Sequence, residues 1–329
     1  MLGVLASIYG RFIERRNRHF DDGTTPIASL PARTISIGNL TTGGTGKTPL
    51  VIKCAEILAG RGKRVCILTR GYGRKSKGRV LVSNGREILE DVLTAGDEPV
   101  EMANRLLKKA VVVADADRAA AAAWTKDEFG VNVFVLDDAF QHRQAARDVN
   151  IVCIDATDPF GGGKLLPAGR LREPVESLSR ADAVVITRAG SRDLADIKAE
   201  ILRVAPSVPI FEARAKIVGL RELRASVGTS IAHKKGFAFC GIGSPENFFS
   251  QLERENYDLA GRKSFRDHHK YAPADVKHLE ASAGKTGASY FLTTAKDAVK
   301  LAELSFSLPV FIVDITVVID REKDFAALL

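Results

Sequence analysis

The sequence has the balance of an ordinary globular protein: its 329 residues are 45% hydrophobic and 27% charged. This length suffices for one large domain or two smaller ones, and no run of about 18 apolar residues predicts a membrane-spanning helix. The four cysteines are dispersed in apolar segments, so we interpret them as reduced core residues of a cytosolic protein rather than as disulfides or zinc ligands. The formal net charge of +8 favours an anionic partner. Without an RNA-binding motif or a basic stripe interleaved with aromatics, we expect no nucleic acid partner.

The first 20 residues combine an apolar pattern with basic residues. Apolar side chains recur at helical spacing at Leu2, Leu5, Ile8, Tyr9, Phe12 and Ile13. Basic residues follow them or lie opposite at Arg11, Arg15, Arg16, Arg18 and His19. A signal peptide would carry its positive charge before the apolar run, and here the charge comes after it. Two interpretations remain: an amphipathic helix that lies in the headgroup layer of a membrane, or a helix that packs on the protein's own core.

Strand-like and helix-like segments alternate through the first 209 residues. The predicted strands cover residues 34–37, 64–69, 111–114, 131–136, 149–154 and 183–187, and the predicted helices cover 49–58, 98–108 and 118–129. Several of these strands are continuously apolar, with no polar alternation. Such strands are typical of a mostly parallel sheet with helices on both faces, so the sequence predicts an α/β fold.

The pattern changes after residue 209. Two long strand-like segments, 211–218 and 310–319, flank a second α/β set with strands at 237–240 and 290–293 and helices near 246–254 and 273–282. We therefore predict a first domain over 1–209 and a smaller α/β domain over 210–320, joined by its two flanking strands. Residues 321–329 are expected to return to the first domain.

A glycine-rich segment lies between the predicted strand at 34–37 and the helix that follows it. It reads Gly43, Gly44, Thr45, Gly46, Lys47, Thr48. Glycines allow backbone N–H groups to point at phosphate oxygens, and the helix N-terminus adds a partial positive charge. Lys47 would reach the β- and γ-phosphates and Thr48 would bind Mg²⁺. Thr41 stands where the usual pattern has its first glycine. The sequence therefore predicts a nucleotide-binding P-loop fold.

Carboxylates follow two of the predicted elements. Asp137 and Asp138 come directly after a buried strand, where a carboxylate beside a phosphate loop coordinates Mg²⁺; an isolated pair would instead be a capping or solvated turn. Asp97 precedes the helix that continues from Glu98. It could be an N-cap or a general base that accepts the proton of an attacking hydroxyl, and chemistry alone leaves both open.

Three further polar segments are less informative. His268 and His269 are adjacent and have no evident metal partners, so a pair of surface histidines is the favoured interpretation. Gln141 and His142 follow the aspartate pair closely and are better candidates for a site. The Lys-Asp pair at 296–297 follows a predicted strand, and a structural role is as well supported there as a functional one.

Taken together, these motifs resemble the tetraacyldisaccharide 4′-kinases, enzymes that phosphorylate the lipid A disaccharide of Gram-negative bacteria. The matching blocks run in order along nearly the whole chain: SIGNLTTGGTGKTP from Ser36, TRGYGR from Thr69, GDEPVEMA from Gly96, DDAFQHR from Asp137, DPFGGGKLLPAGRLREP from Asp158, ADAVVITR from Ala181, AFCGIGSPENFF from Ala238, FRDHHKY from Phe265 and LTTAKDAVKL from Leu292.

The resemblance implies ATP as the phosphoryl donor, with Mg²⁺, and the 4′-hydroxyl of a tetra-acylated glucosamine disaccharide 1-phosphate as the acceptor. It implies that Asp97 takes the hydroxyl proton with support from His268 and that Lys47 and Asp137 are catalytic. Metal ligands would be Thr48, Asp137 and Asp138. Candidate substrate contacts are Arg70, Glu98, Gln141, His142 and Arg172.

The resemblance also implies a peripheral enzyme at the cytoplasmic face of the inner membrane, with the N-terminal helix against the membrane or the acyl chains. We expect a monomer. Two rival functions are a P-loop kinase or ligase for a soluble metabolite and a nucleotide-dependent switch protein. The switch would carry a guanine-specific motif of the NKxD type, which this sequence lacks.

Overall fold

A single twelve-stranded sheet runs through this computed structural model, which describes residues 1–190, 192–224, 231 and 234–329. In chain order the strands are β1 (Arg33–Asn39), β2 (Val65–Thr69), β3 (Val80–Ser83), β4 (Ala110–Ala114), β5 (Val133–Asp137), β6 (Val149–Asp155), β7 (Ala183–Thr187), β8 (Ile210–Glu222), β9 (Gly236–Cys240), β10 (Leu259–Ser264), β11 (Tyr290–Thr294) and β12 (Val310–Ile319). Their spatial order is β10-β9-β11-β12-β8-β7-β6-β1-β5-β2-β4-β3. All neighbours are parallel except the pairs β3/β4 and β8/β12.

Helices cover both faces of the first half of this sheet. The helices are α1 (Leu2–Asp21), α2 (Lys47–Gly60), α3 (Val92–Ala95), α4 (Asp97–Arg105), α5 (Arg118–Phe129), α6 (Ala195–Val204), α7 (Pro245–Arg254), α8 (Pro273–Thr286), α9 (Ala295–Ala298) and α10 (Glu322–Leu328). Along β5, Val133 and Val135 pack in the cluster with α2 and α4, while Phe134 and Leu136 pack with α5 on the opposite face. Burial on both faces explains the apolar strands, and the predicted α/β fold is confirmed.

Strands β8 and β12 connect the two halves of the sheet. The first residues of β8 pair with β7 in parallel, and its longer remainder pairs with β12 in antiparallel register from Ala213–Ile319 to Glu222–Phe311. After β12, Phe325 of α10 packs edge-on against Phe211 in the core of the first half. The chain ends there, with the Leu329 carbonyl accepting a hydrogen bond from Arg33 Nε at 2.9 Å. The domain boundaries at 209/210 and 320/321 stay a prediction.

Some elements differ from the sequence-based expectation. The helix predicted over 98–108 begins at Asp97 and ends at Arg105, and Lys108 beyond it has a left-handed φ of 66°. Strand β10 was not predicted because none of its residues is buried, so it carries no apolar pattern; it forms by pairing with β9. Strand β3 and helix α6 were also missed. Among the described helices, none is long and apolar enough to cross a membrane.

Candidate active site

The phosphate loop connects β1 to α2, and its backbone explains which glycines it needs. Gly43 and Gly46 have φ values of 106° and 77°, a region that favours glycine. Thr41 is not among the residues with positive φ; it forms an antiparallel bridge with Leu171 instead. The loop therefore needs no glycine at Thr41, because a neighbouring chain segment holds that residue. Thr187, at the end of β7, stabilises the loop because its hydroxyl donates a hydrogen bond to the Thr45 carbonyl at 2.7 Å.

Lys47, the first residue of α2, is directed at the aspartate pair. Its Nζ donates to Asn39 Oδ1 at 3.1 Å and lies 3.4 Å from Asp138 Oδ1. Asn39 in turn donates from Nδ2 to the Thr41 carbonyl at 2.7 Å, so it connects the lysine to the start of the loop. Sequence reasoning missed Asn39, although its position as the last residue of β1 places it at the carboxyl edge of the sheet. Thr48 follows Lys47 in the first turn of α2.

Asp137 is the last residue of β5 and is buried. Its Oδ2 accepts a hydrogen bond from Thr69 Oγ1 at 2.9 Å. Burial, together with the nearby negative charges of Glu98 and Asp138, raises the pKa of Asp137 to about 7. The site therefore concentrates carboxylates where a bound cation would relieve their repulsion.

Asp138 follows with a left-handed φ of 48°, so the extended backbone of β5 ends at Asp137. Arg172 Nη1 donates to both of its oxygens, at 3.0 Å and 2.9 Å. Burial by itself would raise the pKa of Asp138, but the charges of Lys47 and Arg172 hold that pKa below its usual value. The pKa values of the two neighbouring aspartates are therefore shifted in opposite directions.

The oxygen atoms gathered here suit a hard divalent cation. The Thr48 hydroxyl and the carboxylates of Asp137 and Asp138 are the donor types that Mg²⁺ prefers. Asp137 is buried beside the negative charges of Asp138 and Glu98, and this grouping of carboxylates is what fits a cation at this position. The residues expected to bind Mg²⁺ therefore have suitable chemistry.

Asp97 and His268 meet across the two halves of the chain. His268 Nδ1 lies 2.9 Å from Oδ2 and 3.2 Å from Oδ1 of Asp97, which is buried at the start of α4. Because a carboxylate only accepts hydrogen bonds, we assign the ring hydrogen to Nδ1. The hydrogen bond to Asp97 raises the pKa of His268, which burial and Lys296 oppose. Burial would raise the pKa of Asp97, but His268 and Lys296 hold that pKa below its usual value.

Lys296, at the start of α9, is a member of this cluster that sequence reasoning left undecided. Its Nζ lies 3.2 Å from Asp267 Oδ1, 3.4 Å from His268 Nε2 and 3.5 Å from Glu98 Oε1. It is the donor that faces the second ring nitrogen of His268, and it bridges the two halves of the chain through Glu98. No local pattern reveals this role, because the contacts join segments far apart in sequence.

Of the remaining predicted substrate residues, Arg70 directly follows β2, and Gln141 and His142 come shortly after β5. Gln141 donates from Nε2 to the Asn39 carbonyl at 2.9 Å. Burial and the charges of Arg118, Arg147 and Arg70 lower the pKa of His142 to about 4, so its imidazole is neutral at pH 7.

Arg118 is a further member of the site that sequence reasoning missed. It is buried at the first position of α5, and its charge interacts with Asp137. The helix dipole disfavours a cation at the first position of a helix. The arginine at this position was therefore a sign in the sequence that it has a role other than stabilising the helix.

The phosphate loop and the Asp97–His268 contact lie close together where the two halves of the chain meet, and we call this junction the cleft. A Cβ placed on Gly243, in the turn before α7, would lie 3.5 Å from Gly44 N and 3.1 Å from Asp267 Oδ2. Asp267 precedes His268 and lies beside Lys296. A short path of contacts therefore leads from the phosphate loop through Gly243 and Asp267 to the carboxylate–histidine pair.

This fold and this cleft define a P-loop phosphotransferase. The chain belongs to the LpxK family, described as Tetraacyldisaccharide-1-P 4′-kinase, whose family model matches residues 1–329.

Comparisons with individual proteins agree with this assignment. The chain is 39% identical over 305 residues to the tetraacyldisaccharide 4′-kinase of Geobacter metallireducens, covering 92% of this chain and 88% of that protein. It is 40% identical over 319 residues to the protein of the same name from Halothermothrix orenii, covering 92% and 83%. The structure of LpxK from Aquifex aeolicus, described as an "apo" form in complex with ATP, superposes with a TM-score of 0.78 at 34% identity, covering 98% of this chain and 96% of that one.

Proposed function

We propose that this protein transfers the γ-phosphoryl group of ATP to the 4′-hydroxyl of a tetra-acylated glucosamine disaccharide 1-phosphate. Family membership supports the acceptor, and the ATP complex of the Aquifex aeolicus relative supports the donor. The observation that carries the proposal is the contact between Asp97 and His268 beside the phosphate loop. A kinase needs a base for the acceptor hydroxyl next to its nucleotide site, whereas a nucleotide switch does not.

In the proposed reaction, the Asp97–His268 pair activates the acceptor hydroxyl and the phosphate loop stabilises the transferring phosphoryl group. Asp97 accepts the proton of the 4′-hydroxyl as that oxygen bonds to the γ-phosphorus, and the bond from the γ-phosphorus to the β,γ-bridging oxygen breaks to leave ADP. His268 orients the Asp97 carboxylate through Nδ1–H and stabilises its charge before transfer. Lys47 stabilises the negative charge that spreads over the transferring group. Closure of the cleft excludes water that would otherwise accept the phosphoryl group.

Thr48, Asp137 and Asp138 are proposed to hold the Mg²⁺ that accompanies ATP. When bound, such an ion neutralises charge on the β- and γ-phosphates. Lys47 contacts Asp138 and would keep that carboxylate placed before nucleotide arrives.

We also propose that helix α1 lies against the membrane surface with one of its two apolar faces. Its inner face packs on the protein: Ile13 is buried, and Tyr9 donates from its hydroxyl to the Arg172 carbonyl at 2.9 Å. The outer face leaves large apolar side chains exposed, namely Leu2, Val4, Leu5, Ile8 and Phe12. The inner face thus fits the interpretation of a helix that packs on the protein's own core. The outer face fits the proposed helix in the headgroup layer of a membrane.

Basic residues accompany the exposed apolar face. Arg11, Arg15 and Arg18 are exposed, and a groove of about 220 Å³ lies between α1 and the turn after it, lined by Phe12, Arg15, Arg16, His19 and Thr25. A mixture of apolar and cationic groups suits an anionic lipid surface. These features, and the net charge of +8, support peripheral binding to an anionic membrane surface. The cytoplasmic face of the inner membrane is the location that we propose. The monomeric state stays a prediction.

The decisive experiment supplies the purified protein with radiolabelled ATP and the acylated disaccharide 1-phosphate in detergent. We expect label to appear in the lipid, with a second phosphomonoester at the 4′ position identified by phosphorus NMR and mass spectrometry. The Asp97→Asn variant should retain nucleotide binding and lose transfer. Equal transfer to soluble sugars would favour the rival kinase for a soluble metabolite, and ATP hydrolysis that is indifferent to the lipid would favour the nucleotide-dependent switch.

A further inference from the structure

Arg170 binds the first residues of the phosphate loop through both its backbone and its side chain. Its carbonyl accepts a hydrogen bond from Thr42 N at 2.8 Å. Its guanidinium donates back to the Thr42 carbonyl, from Nε at 3.1 Å and from Nη2 at 2.6 Å. Nη1 donates to Asp158 Oδ2 at 2.6 Å, which fixes the plane of the guanidinium. The arginine is thus anchored at the phosphate loop and is not a free surface residue.

We expect the γ end of a bound triphosphate beside the part of the loop that Arg170 contacts. The lysine of a P-loop reaches the β- and γ-phosphates. Lys47 Nζ contacts Asn39, which in turn bonds to the Thr41 carbonyl. The γ end of a bound nucleotide would therefore lie beside residues 39–43. A Cβ placed on Gly43 would overlap Nη2 of Arg170, so the guanidinium lies directly against this part of the loop.

The guanidinium keeps donors available for a ligand. Its three side-chain hydrogen bonds to Thr42 and Asp158 leave further N–H groups that have no partner in the described ranges of the chain. Half of the side chain is exposed, at 50% of its full accessible area. Arg172 differs from Arg170 in its partner, because it donates hydrogen bonds to both oxygens of Asp138. The two arginines of this segment therefore have separate tasks.

We propose that Arg170 binds the γ-phosphate of ATP and so makes this site prefer ATP to ADP. The inference rests on the proposed use of ATP. A guanidinium binds phosphate oxygens through N–H groups in a fixed geometry, and such charge-assisted hydrogen bonds are stronger than neutral ones. An arginine placed beside a transferring phosphoryl group also stabilises its charge. The anchoring to Thr42 and Asp158 places this charge before the nucleotide arrives.

The test compares the binding of ADP with that of a non-hydrolysable ATP analogue, both with Mg²⁺, by calorimetry on the full-length protein. Arg170→Met should raise the Kd of the ATP analogue by roughly tenfold or more and leave the Kd of ADP within about twofold. Arg170→Lys keeps the charge and loses the planar guanidinium. Its Kd for the ATP analogue should lie between those of the wild type and of Arg170→Met. Arg203→Met is the matched control, because it removes an exposed arginine that pairs with Glu200 on α6, away from the cleft. It should change neither Kd.

The outcomes separate this inference from the proposed function. Equal weakening of both nucleotides in Arg170→Met would mean that the arginine only supports the loop, and unchanged binding of both would mean that it has no nucleotide role; either result overturns the inference. A wild-type protein that fails to bind the ATP analogue would overturn the proposed function itself. Thermal unfolding of each variant, with and without ADP, establishes that the protein is folded and that ADP still stabilises it.

Discussion

Nδ1 of His268 lies 2.9 Å from Oδ2 of Asp97, although 171 positions separate the two residues in the sequence. Asp97 belongs to the half of the sheet that carries the phosphate loop, and His268 lies between β10 and α8 in the other half. His268 holds a left-handed φ of 57°, a conformation that a histidine adopts at some cost. The fold therefore keeps a strained residue at the cleft so that its imidazole meets a buried carboxylate.

The first prediction is that Asp97 and His268 act as a unit. Asp97→Asn should lower kcat by roughly 10²- to 10⁴-fold because the base is lost. His268→Ala should cost less, since Asp97 remains. In the double variant the losses should not add, because His268 acts through Asp97. The measurement is a double-mutant cycle at saturating ATP and lipid, and strictly additive losses would show that the residues act independently.

The pH profile gives a second prediction about the same pair. His268 and Lys296 hold the pKa of Asp97 below its usual value, so the wild-type base stays ionised to low pH. Removing His268 removes the largest of these lowering effects, and the pKa of Asp97 should rise. The acidic limb of kcat/KM should therefore move to higher pH in His268→Ala. His278→Ala, on α8, is a matched control and should leave the limb in place; an unmoved limb in His268→Ala would contradict the prediction.

Lys47 should be essential to the chemical step. Lys47→Met removes a cation from the transferring group and should lower kcat by about 10²-fold or more. Lys53→Met is a suitable control, because Lys53 is on the same helix and pairs instead with Glu322 at 2.9 Å. Steady-state kinetics with ATP and lipid both varied would measure kcat in each variant and show whether the loss is confined to Lys47→Met. Near-normal turnover in a folded Lys47→Met protein would contradict this role.

The aspartate pair should determine the dependence on the metal. Asp137→Asn and Asp138→Asn each remove a charge beside the proposed Mg²⁺ position, so the Mg²⁺ concentration for half-maximal activity should rise in both. Replacing Mg²⁺ with Mn²⁺ should restore more activity in the variant that lost a direct ligand, because Mn²⁺ accepts a wider range of ligand sets. Wild-type activity and wild-type Mg²⁺ dependence in both variants would mean that the pair is only a structural turn.

Local sequence patterns predicted most of the strands that are buried on both faces, and one of the elements that they missed depends on pairing alone. The predicted strand at 183–187 coincides with β7, whose five residues are all buried. By contrast, β10 has no buried residue, so its existence follows only from its register with β9. The antiparallel pairing of β8 with β12 likewise extends β8 to Glu222, through exposed and half-buried residues that carry no strand pattern.

The site was predictable where a motif is contiguous and unpredictable where contacts cross the cleft. The phosphate loop and the Asp137–Asp138 turn are local patterns with a known physical purpose. Lys296 and Arg170 are ordinary basic residues in sequence, and only the fold brings one to His268 Nε2 and the other to the Thr42 carbonyl. From chemistry alone Asp97 was equally an N-cap or a base. In the structure its Oδ1 accepts from Glu98 N, the neighbouring residue, and both oxygens also face the histidine.

The last prediction concerns the outer face of α1. Deleting this helix would be a poor test, because Tyr9 contacts the backbone of Arg172, the partner of Asp138. Point substitutions on the outer face avoid this problem. A triple change of Leu5, Ile8 and Phe12 to Ser removes exposed apolar side chains, which contribute about 1.5–3 kcal/mol each when fully buried. We expect binding to anionic vesicles to weaken by roughly 10²-fold or more.

A second set of variants separates apolar from electrostatic binding. Changing Arg11, Arg15 and Arg18 to Gln should weaken binding by about 1 kcal/mol per charge and should flatten the dependence of binding on salt. The apolar triple variant should bind weakly yet keep a steep salt dependence, since its charges remain. Val218→Ser is the matched control, because this valine is exposed on β8, far along the chain from α1. Vesicle co-sedimentation over a range of salt concentrations measures all of these. If neither triple variant binds less than wild type at low salt, α1 does not contact the membrane through its outer face.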